Sequence, residues 1–379
     1  MEIKPINAAI IGCGTISDTY LENLITKFKI INVVSCYDRN VKKMEEKSKK
    51  FNIVASDLDS IMNDKNIKII VILTNPNSHF ELAKMALLKG KHVYTEKTIA
   101  TTLQEGEELL DISKRGHLYL GSAPDTFLGS GVQTANYMLE HKLIGHPQSA
   151  VVSLNRDFSI FGDILPHLNQ KGGTMPFDTG SYYLTALCSM FGPVKSIFSF
   201  GNLYQKRRTG KRIDTSWFGQ KTEVADYNIM TSVLKFNNDI LATIHLNSES
   251  IVNEKPILNI YGSEGIIAMG DPNHFGSKNV LYKPGIEGDG IVFPETHGFS
   301  GEYRGLGVAE MAWAISGKRK HRATGEMATH ILEIVEGMYK SAHQGQLYSM
   351  STTCDRPSLL PSGYIEDGFW SPTAETALI

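Results

Sequence analysis

Four side chains in this 379-residue chain have the types and spacing to move a proton at a hydroxyl: Glu96-Lys97, and Asp178 four positions before Tyr182. An ammonium can hydrogen-bond a reacting oxygen and, as a positive charge, lowers the pKa of a hydroxyl beside it. Residues four apart share a helical face, so a helix starting near Thr179 would let Asp178 and Tyr182 work together. Tyrosine is a poor base at its reference pKa of about 10. Lys97 and a helix N-terminus are expected to depress it enough to relay a proton. Each residue also has a plainer reading. Lys97 is then a surface lysine at a strand end, Asp178 a helix cap, and Tyr182 a core aromatic beside Tyr183.

A second set has the pattern of a phosphate site. In Gly12-Cys13-Gly14-Thr15-Ile16-Ser17, Gly12 permits a tight turn and Gly14 lets backbone approach a pyrophosphate. A helix opening at Thr15 and Ile16 would add unpaired N–H groups and a positive dipole end. Ser17 holds the third, small position. Asp38 follows Ser17 by 21 positions, close to the roughly 20 expected of an acid that accepts from an adenosine ribose. A carboxylate there repels a 2′-phosphate, so NAD is expected and NADP less so. Arg39 argues the other way. A connecting turn, and Asp38 as a helix cap, are the alternatives.

Alternating elements must position these residues. Apolar runs at 6–11, 31–37, 68–73, 92–95 and 117–120 read as strands, with helical periodicity between them. Capping boxes are expected at Ser78/Glu81 and Thr102/Glu105. Such βα repeats predict an α/β chain opening on a doubly wound parallel sheet of Rossmann type. Ligands bind such sheets at the carboxyl ends of the strands, which gathers Gly12, Asp38, Thr74, Glu96 and Ala123 on one edge. After a helical stretch at 132–143, strand-like runs at 148–154, 194–200, 228–236, 240–246, 257–261 and 266–268 predict an α+β domain with an open, largely antiparallel sheet. Late helices are expected at 308–315 and 328–342, returning toward the first domain. The expected division is 1–126, 127–350 and an irregular tail, 351–379, that wraps the fold or crosses to a neighbour.

Length favours two domains, and 41% hydrophobic with 21% charged residues is a globular balance. A net charge of -2 gives no field for nucleic acid, and the cluster Lys206-Arg207-Arg208 with Lys211-Arg212 reads as a solvated loop. No leader pattern or bilayer-length apolar run is present. The four scattered cysteines have no disulfide or metal-ligand spacing. The expectations are a cytoplasmic protein, no metal, no nucleic acid and no membrane.

The order of motifs resembles the glucose–fructose oxidoreductase/inositol dehydrogenase/rhizopine-catabolism (Gfo/Idh/MocA) oxidoreductases. It rests on Gly12 to Ser17, Asn75-Pro76 with His79, Gly90-Lys91-His92-Val93, Glu96-Lys97, Gly172-Gly173 and Asp178-Thr179-Gly180-Ser181-Tyr182. The resemblance implies an NAD(P)-dependent oxidoreductase acting on a secondary hydroxyl of a sugar, glycoside or cyclitol. It implies Lys97 as the catalytic, substrate-holding lysine, with Asp178 and Tyr182 beside it and Tyr182 at the usual histidine position. Thr98 replaces the usual proline. Thr74, Asn75, Pro76, His79 and Glu96 would join the turn around the cofactor. Asp125, Arg156 and His167 are further candidates for substrate contact, and the open sheet face is expected to form a homodimer or homotetramer. The alternatives are an NAD-dependent glycoside hydrolase working through transient oxidation, and a non-catalytic nucleotide- or sugar-binding regulator.

Overall fold

The computed structural model describes residues 4–160, 166–169, 173–285 and 288–361. The first half runs β1 (Ile6–Ile11), α1 (Thr15–Thr26), β2 (Ile31–Tyr37), α2 (Val41–Phe51), β3 (Val54–Ala55), α3 (Leu58–Asn63), β4 (Ile69–Ile72), α4 (His79–Leu88), β5 (His92–Thr95), α5 (Leu103–Arg115) and β6 (Leu120–Ser122). Among the described residues these strands form one six-stranded parallel sheet, order β3-β2-β1-β4-β5-β6. β4 is buried at every position, as a strand covered on both faces must be. The order reverses at β1, so the β1–α1 turn opens at the topological switch point.

Three local expectations are corrected. The strand expected at 117–120 begins at Leu120: Gly116 ends α5 and His117 sits at φ 52°, so the chain is still turning there. Ser78 does not cap α4, because its hydroxyl turns back to Thr74 and to the Asn75 carbonyl. The Thr102/Glu105 box on α5 is present in full. Arg208 is not a solvated loop residue. It is 5% exposed and bonded to Glu249, Asn169 and Ser248, because the short strand Arg207–Thr209 carries it inward as the middle residue of one arm of a hairpin.

The second half runs α6 (Ser130–Glu140), β7 (Pro147–Asn155), α7 (Gly180–Phe191), β8 (Val194–Asn202), β9 (Arg207–Thr209), β10 (Lys221–Glu223), β11 (Ile229–Phe236), β12 (Leu241–Asn247), β13 (Ile257–Gly262), β14 (Ile266–Met269), β15 (Asn279–Tyr282), β16 (Ile291–Phe293), α8 (Leu306–Gly317), α9 (Gly325–Gln344) and β17 (Tyr348–Ser349). Among the described residues nine strands make one sheet, order β16-β15-β14-β13-β7-β12-β11-β8-β17, antiparallel except where β7 meets β12. Alternation is strict in β11 and marked in β12: one face is buried under α6, α7 and α9, while Val151, Phe200, Val233, Leu241 and Ile257 point outward.

The halves are tied closely. α9 packs on β8 and α5, and Glu336 of α9 accepts from the Leu103 N–H at the start of α5. Residues 351–361 cross the fold without regular structure: Arg356 reaches Asn136 and Glu140, and the Leu360 N–H donates to Gln133. Across the described residues no helix is long and apolar enough to span a membrane.

Candidate active site

The β1–α1 turn is shaped by two glycines with different duties. Gly12 adopts φ +104°, and a Cβ there would lie 2.7 Å from the Leu73 backbone, so only glycine lets β1 and β4 converge. Gly14 has ordinary φ, and an added Cβ would meet nothing within 4 Å. That open space belongs to a cleft of about 530 Å³, lined among others by Gly12, Asp38, Arg39, Lys43, Thr74 and Asn75. Ser17 is fully buried and bonds the Gly14 carbonyl, holding the first turn of α1 against the sheet. Thr15 and Ile16 complete that first turn. The cradle at Gly14 and the N-terminus of α1 fit a dinucleotide pyrophosphate, a reading carried by the cleft's shape and donors.

Asp38 stands at the end of β2. Its Oδ2 accepts from the Cys13 N–H at 2.7 Å and its Oδ1 from Asn40 N–H at 2.7 Å. The cap of α2 is Asn40, not Asp38, so the carboxylate belongs to the turn and the cleft. Arg39 and Lys43 bring positive charge to the same wall.

At the next strand ends, His79 is not open to the cleft. It is fully buried, with Nδ1 2.6 Å from the Thr98 carbonyl oxygen and Nε2 2.9 Å from that of Thr74. Burial keeps its pKa below the ordinary histidine range, against the pull of those two carbonyls. The ring therefore clamps the Thr74-Asn75-Pro76 turn to the segment carrying Lys97. Glu96 also braces: Oε1 accepts from the Tyr20 hydroxyl at 2.8 Å and Oε2 from the Lys97 N–H. The Lys97–Thr98 peptide is cis.

Lys97 meets Asp178 across 81 positions of sequence. Its Nζ lies 2.6 Å from Asp178 Oδ1 and 5.5 Å from the Tyr182 ring centroid. Both members of the pair are mostly enclosed, at 16% and 19% exposure. Asp178 precedes α7, whose N-cap is Thr179, and its Oδ2 accepts from the Thr179 hydroxyl at 3.1 Å. Tyr183 is the core residue, fully buried and bonded to Asp271, while Tyr182 keeps an exposed edge. Tyr182 thus packs at the edge of the core with its ring beside Lys97.

Burial alone would pull Lys97 down, but Asp178, with Tyr182 and Glu96, reverses it and holds the ammonium above the ordinary lysine range. Tyr182 moves opposite to expectation. Burial raises its pKa, and Lys97 and Arg304 recover only part of that. The pair thus presents two proton donors beside one carboxylate.

Two candidates lie elsewhere. Asp125 is 1% exposed, and its Oδ2 accepts from Gly305 and Gly307 N–H groups at 2.9 Å each. It anchors the start of α8 instead of facing a substrate. Burial raises its pKa to about 6, although the two amides pull it back. Arg156 bonds the Glu254 carbonyl and approaches Asp271 at 3.5 Å, while Asp157 pairs with Lys211, so neither pairs with the other. The side chain of His167 lies outside the described residues, as does Gly172. Arg304 was not anticipated. It sits on the loop before α8, fixed by Glu302 and by Asn273 at 3.2 Å, and its charge acts on Tyr182. No motif marks it. Among the described residues no three His, Cys, Asp or Glu side chains gather as a metal site.

Family models match both halves: an oxidoreductase family with an NAD-binding Rossmann fold over residues 6–122, and a GFO/IDH/MocA C-terminal domain over 132–268. The chain belongs to the Gfo/Idh/MocA oxidoreductases. It is 29% identical over 192 residues to the uncharacterised oxidoreductase YhhX of Escherichia coli strain K12, covering 49% of this chain and 54% of that one. With the D-xylose dehydrogenase of Paenarthrobacter nicotinovorans it shares 26% over 225 residues, 55% of each. The match thus spans about half the length of these curated relatives. A levoglucosan dehydrogenase solved with NADH and levoglucosan has the same fold, with a TM-score of 0.79 at 17% identity, covering 92% of this chain and 100% of that one.

Proposed function

We propose that this protein is an NAD-dependent dehydrogenase that transfers a hydride between nicotinamide and a secondary hydroxyl or ketone of a sugar, glycoside or cyclitol. The observation that carries this reading is the Lys97–Asp178 contact of 2.6 Å beside Tyr182, clamped through His79 to the wall of the dinucleotide cleft. A bound nicotinamide supplies the hydride acceptor. Lys97 and Tyr182, both protonated, hydrogen-bond the carbinol oxygen and stabilise the negative charge that grows on it. Asp178 accepts the hydroxyl proton in oxidation and, protonated, returns it in reduction, while the ammonium and phenol hold the oxygen in both directions. Asp38 favours NAD by accepting from the ribose hydroxyls, and Arg39 with Lys43 limits that preference. The sugar class comes from the xylose and levoglucosan dehydrogenases among the similar proteins. The outward face of the nine-stranded sheet is the surface through which copies would assemble.

The test is NADH absorbance with NAD+ and a panel of pentoses, hexoses, levoglucosan and inositols. Turnover is expected on at least one. Lys97→Met should lower kcat/KM by about 100- to 10,000-fold with NAD+ affinity kept. Wild-type turnover in that variant sinks the assignment of Lys97. Release of phenol from an aryl glycoside without NADH accumulation would point to the hydrolase instead.

A further inference from the structure

A second cleft, of about 790 Å³, lies between the start of α5, the face of α9 and the segment leading into α7. Its size lies within the roughly 300–1,000 Å³ of small-ligand sites and exceeds that of the nucleotide cleft. Asn77 lines both clefts, and Phe177, on the second wall, directly precedes Asp178. Thr101, also on that wall, follows Lys97 by four positions, so the second cleft is bounded by the segments that carry Lys97 and Asp178.

The wall carries the rings of Phe177, Tyr339 and His343, and Tyr227 stacks near-parallel to Tyr339 and His343. Phe177 and Tyr339 lie 5.8 Å apart at 17°, Tyr339 and Tyr227 6.3 Å at 5°, and Tyr227 and His343 4.6 Å at 29°. Thr174 fixes Tyr339 through a 2.5 Å hydroxyl contact. Facing these rings are the carboxylates Asp226, Glu336 and Glu107 and the hydroxyls of Thr101 and Thr102. The cations on the wall, Lys340 and His343, stand 2.9 Å from Glu336 and 3.4 Å from Asp226. A phosphate would meet an excess of negative charge there. A neutral polyhydroxylated ring would find an apolar wall and several acceptors.

We propose that this cleft holds the neighbouring ring of a substrate larger than one sugar: a neutral glycoside whose reacting hydroxyl sits at Lys97. The inference rests on the dehydrogenase reading of Lys97 for where the reacting ring lies. Phe177 and Tyr339 supply the apolar wall, while Asp226 and Glu336 accept from hydroxyls of the second ring.

Titration calorimetry on the full chain with NAD+ bound tests it, using methyl β-glucoside against methyl β-cellobioside and methyl α-glucoside against methyl α-maltoside. In at least one series the two-ring ligand should bind tenfold or more tighter. Asp226→Asn combined with His343→Ala, at unchanged melting temperature, should abolish that advantage. Equal affinity for one and two rings in both series overturns the inference, as does an advantage that survives in the double variant. NADH absorbance on the same ligands separates the two readings. Turnover without a second-ring advantage removes the cleft's role and leaves the dehydrogenase, whereas tighter two-ring binding without turnover does the reverse.

Discussion

The contact between Lys97 and Asp178 sets a carboxylate directly against the ammonium. The sequence reading has Lys97 and Tyr182 take the hydroxyl proton, tyrosine depressed by its neighbours, with Asp178 assisting or itself accepting the proton. Burial instead raises Tyr182, and the carboxylate keeps Lys97 charged, which supports the proposal of Asp178 as the acceptor in oxidation. Asp125 gives a separate prediction. In the folded chain its pKa is raised from 3.8 to about 6. Between those values the unfolded chain has released a proton that the folded chain keeps, so stability falls as pH rises through that window and is level above it. A shift of about 2 units corresponds to about 3 kcal/mol. Asp125→Asn still accepts the Gly305 and Gly307 N–H bonds but does not titrate. Urea unfolding from pH 4 to 6.5 should show wild type losing stability relative to the variant as pH rises, by roughly that amount.

At the scale of elements, helix starts decide how firmly the site is held. Thr102 accepts from the Glu105 N–H while Glu105 reaches back to the Thr102 N–H, and the cap sits where Leu103 also meets Glu336 of α9. Thr102→Ala should cost about 1 kcal/mol in urea unfolding. Ser78→Ala removes no cap and should cost less. The two motifs look alike in sequence, and only backbone geometry separates them: Ser78 follows a single 3-10 turn and has φ −109°, ψ −2°, whereas Thr102 is extended. Strand periodicity was legible because it is local, and β2 and β5 fall where their apolar runs end. The small elements β3, β9, β10 and α3 were not, since two to six residues carry no period.

For the whole molecule, legibility followed distance along the chain. The Gly12 turn and Asp38 could be read because one βαβ unit fixes their spacing. Asp178 could be paired with Tyr182 by helical spacing, but its meeting with Lys97 depends on how two sheets pack. The burial of His79 and Asp125 and the arrival of Arg304 depend on that packing too, and no motif encodes it. Assembly belongs to this scale. Phe200 and Val233 are 69% and 44% exposed on the open sheet face, and covering such a patch removes apolar area from water. Wild type should sediment as a dimer or tetramer, and Phe200→Asp with Val233→Asp should shift it to lower mass. A monomeric wild type would remove the assembly proposal.

The proposed step at the Lys97–Asp178–Tyr182 cluster is direct passage of a C–H hydrogen from a secondary carbinol to nicotinamide. It is tested most directly by incubating the protein with NAD+ and carbon-deuterated glucose, xylose, levoglucosan and myo-inositol, each separately, and weighing the NADH by mass spectrometry. NADH carrying one deuterium is expected from at least one of them, and almost none from the Lys97→Met protein. Unlabelled NADH from a turned-over deuterated substrate, or no NADH from any of them, would contradict it.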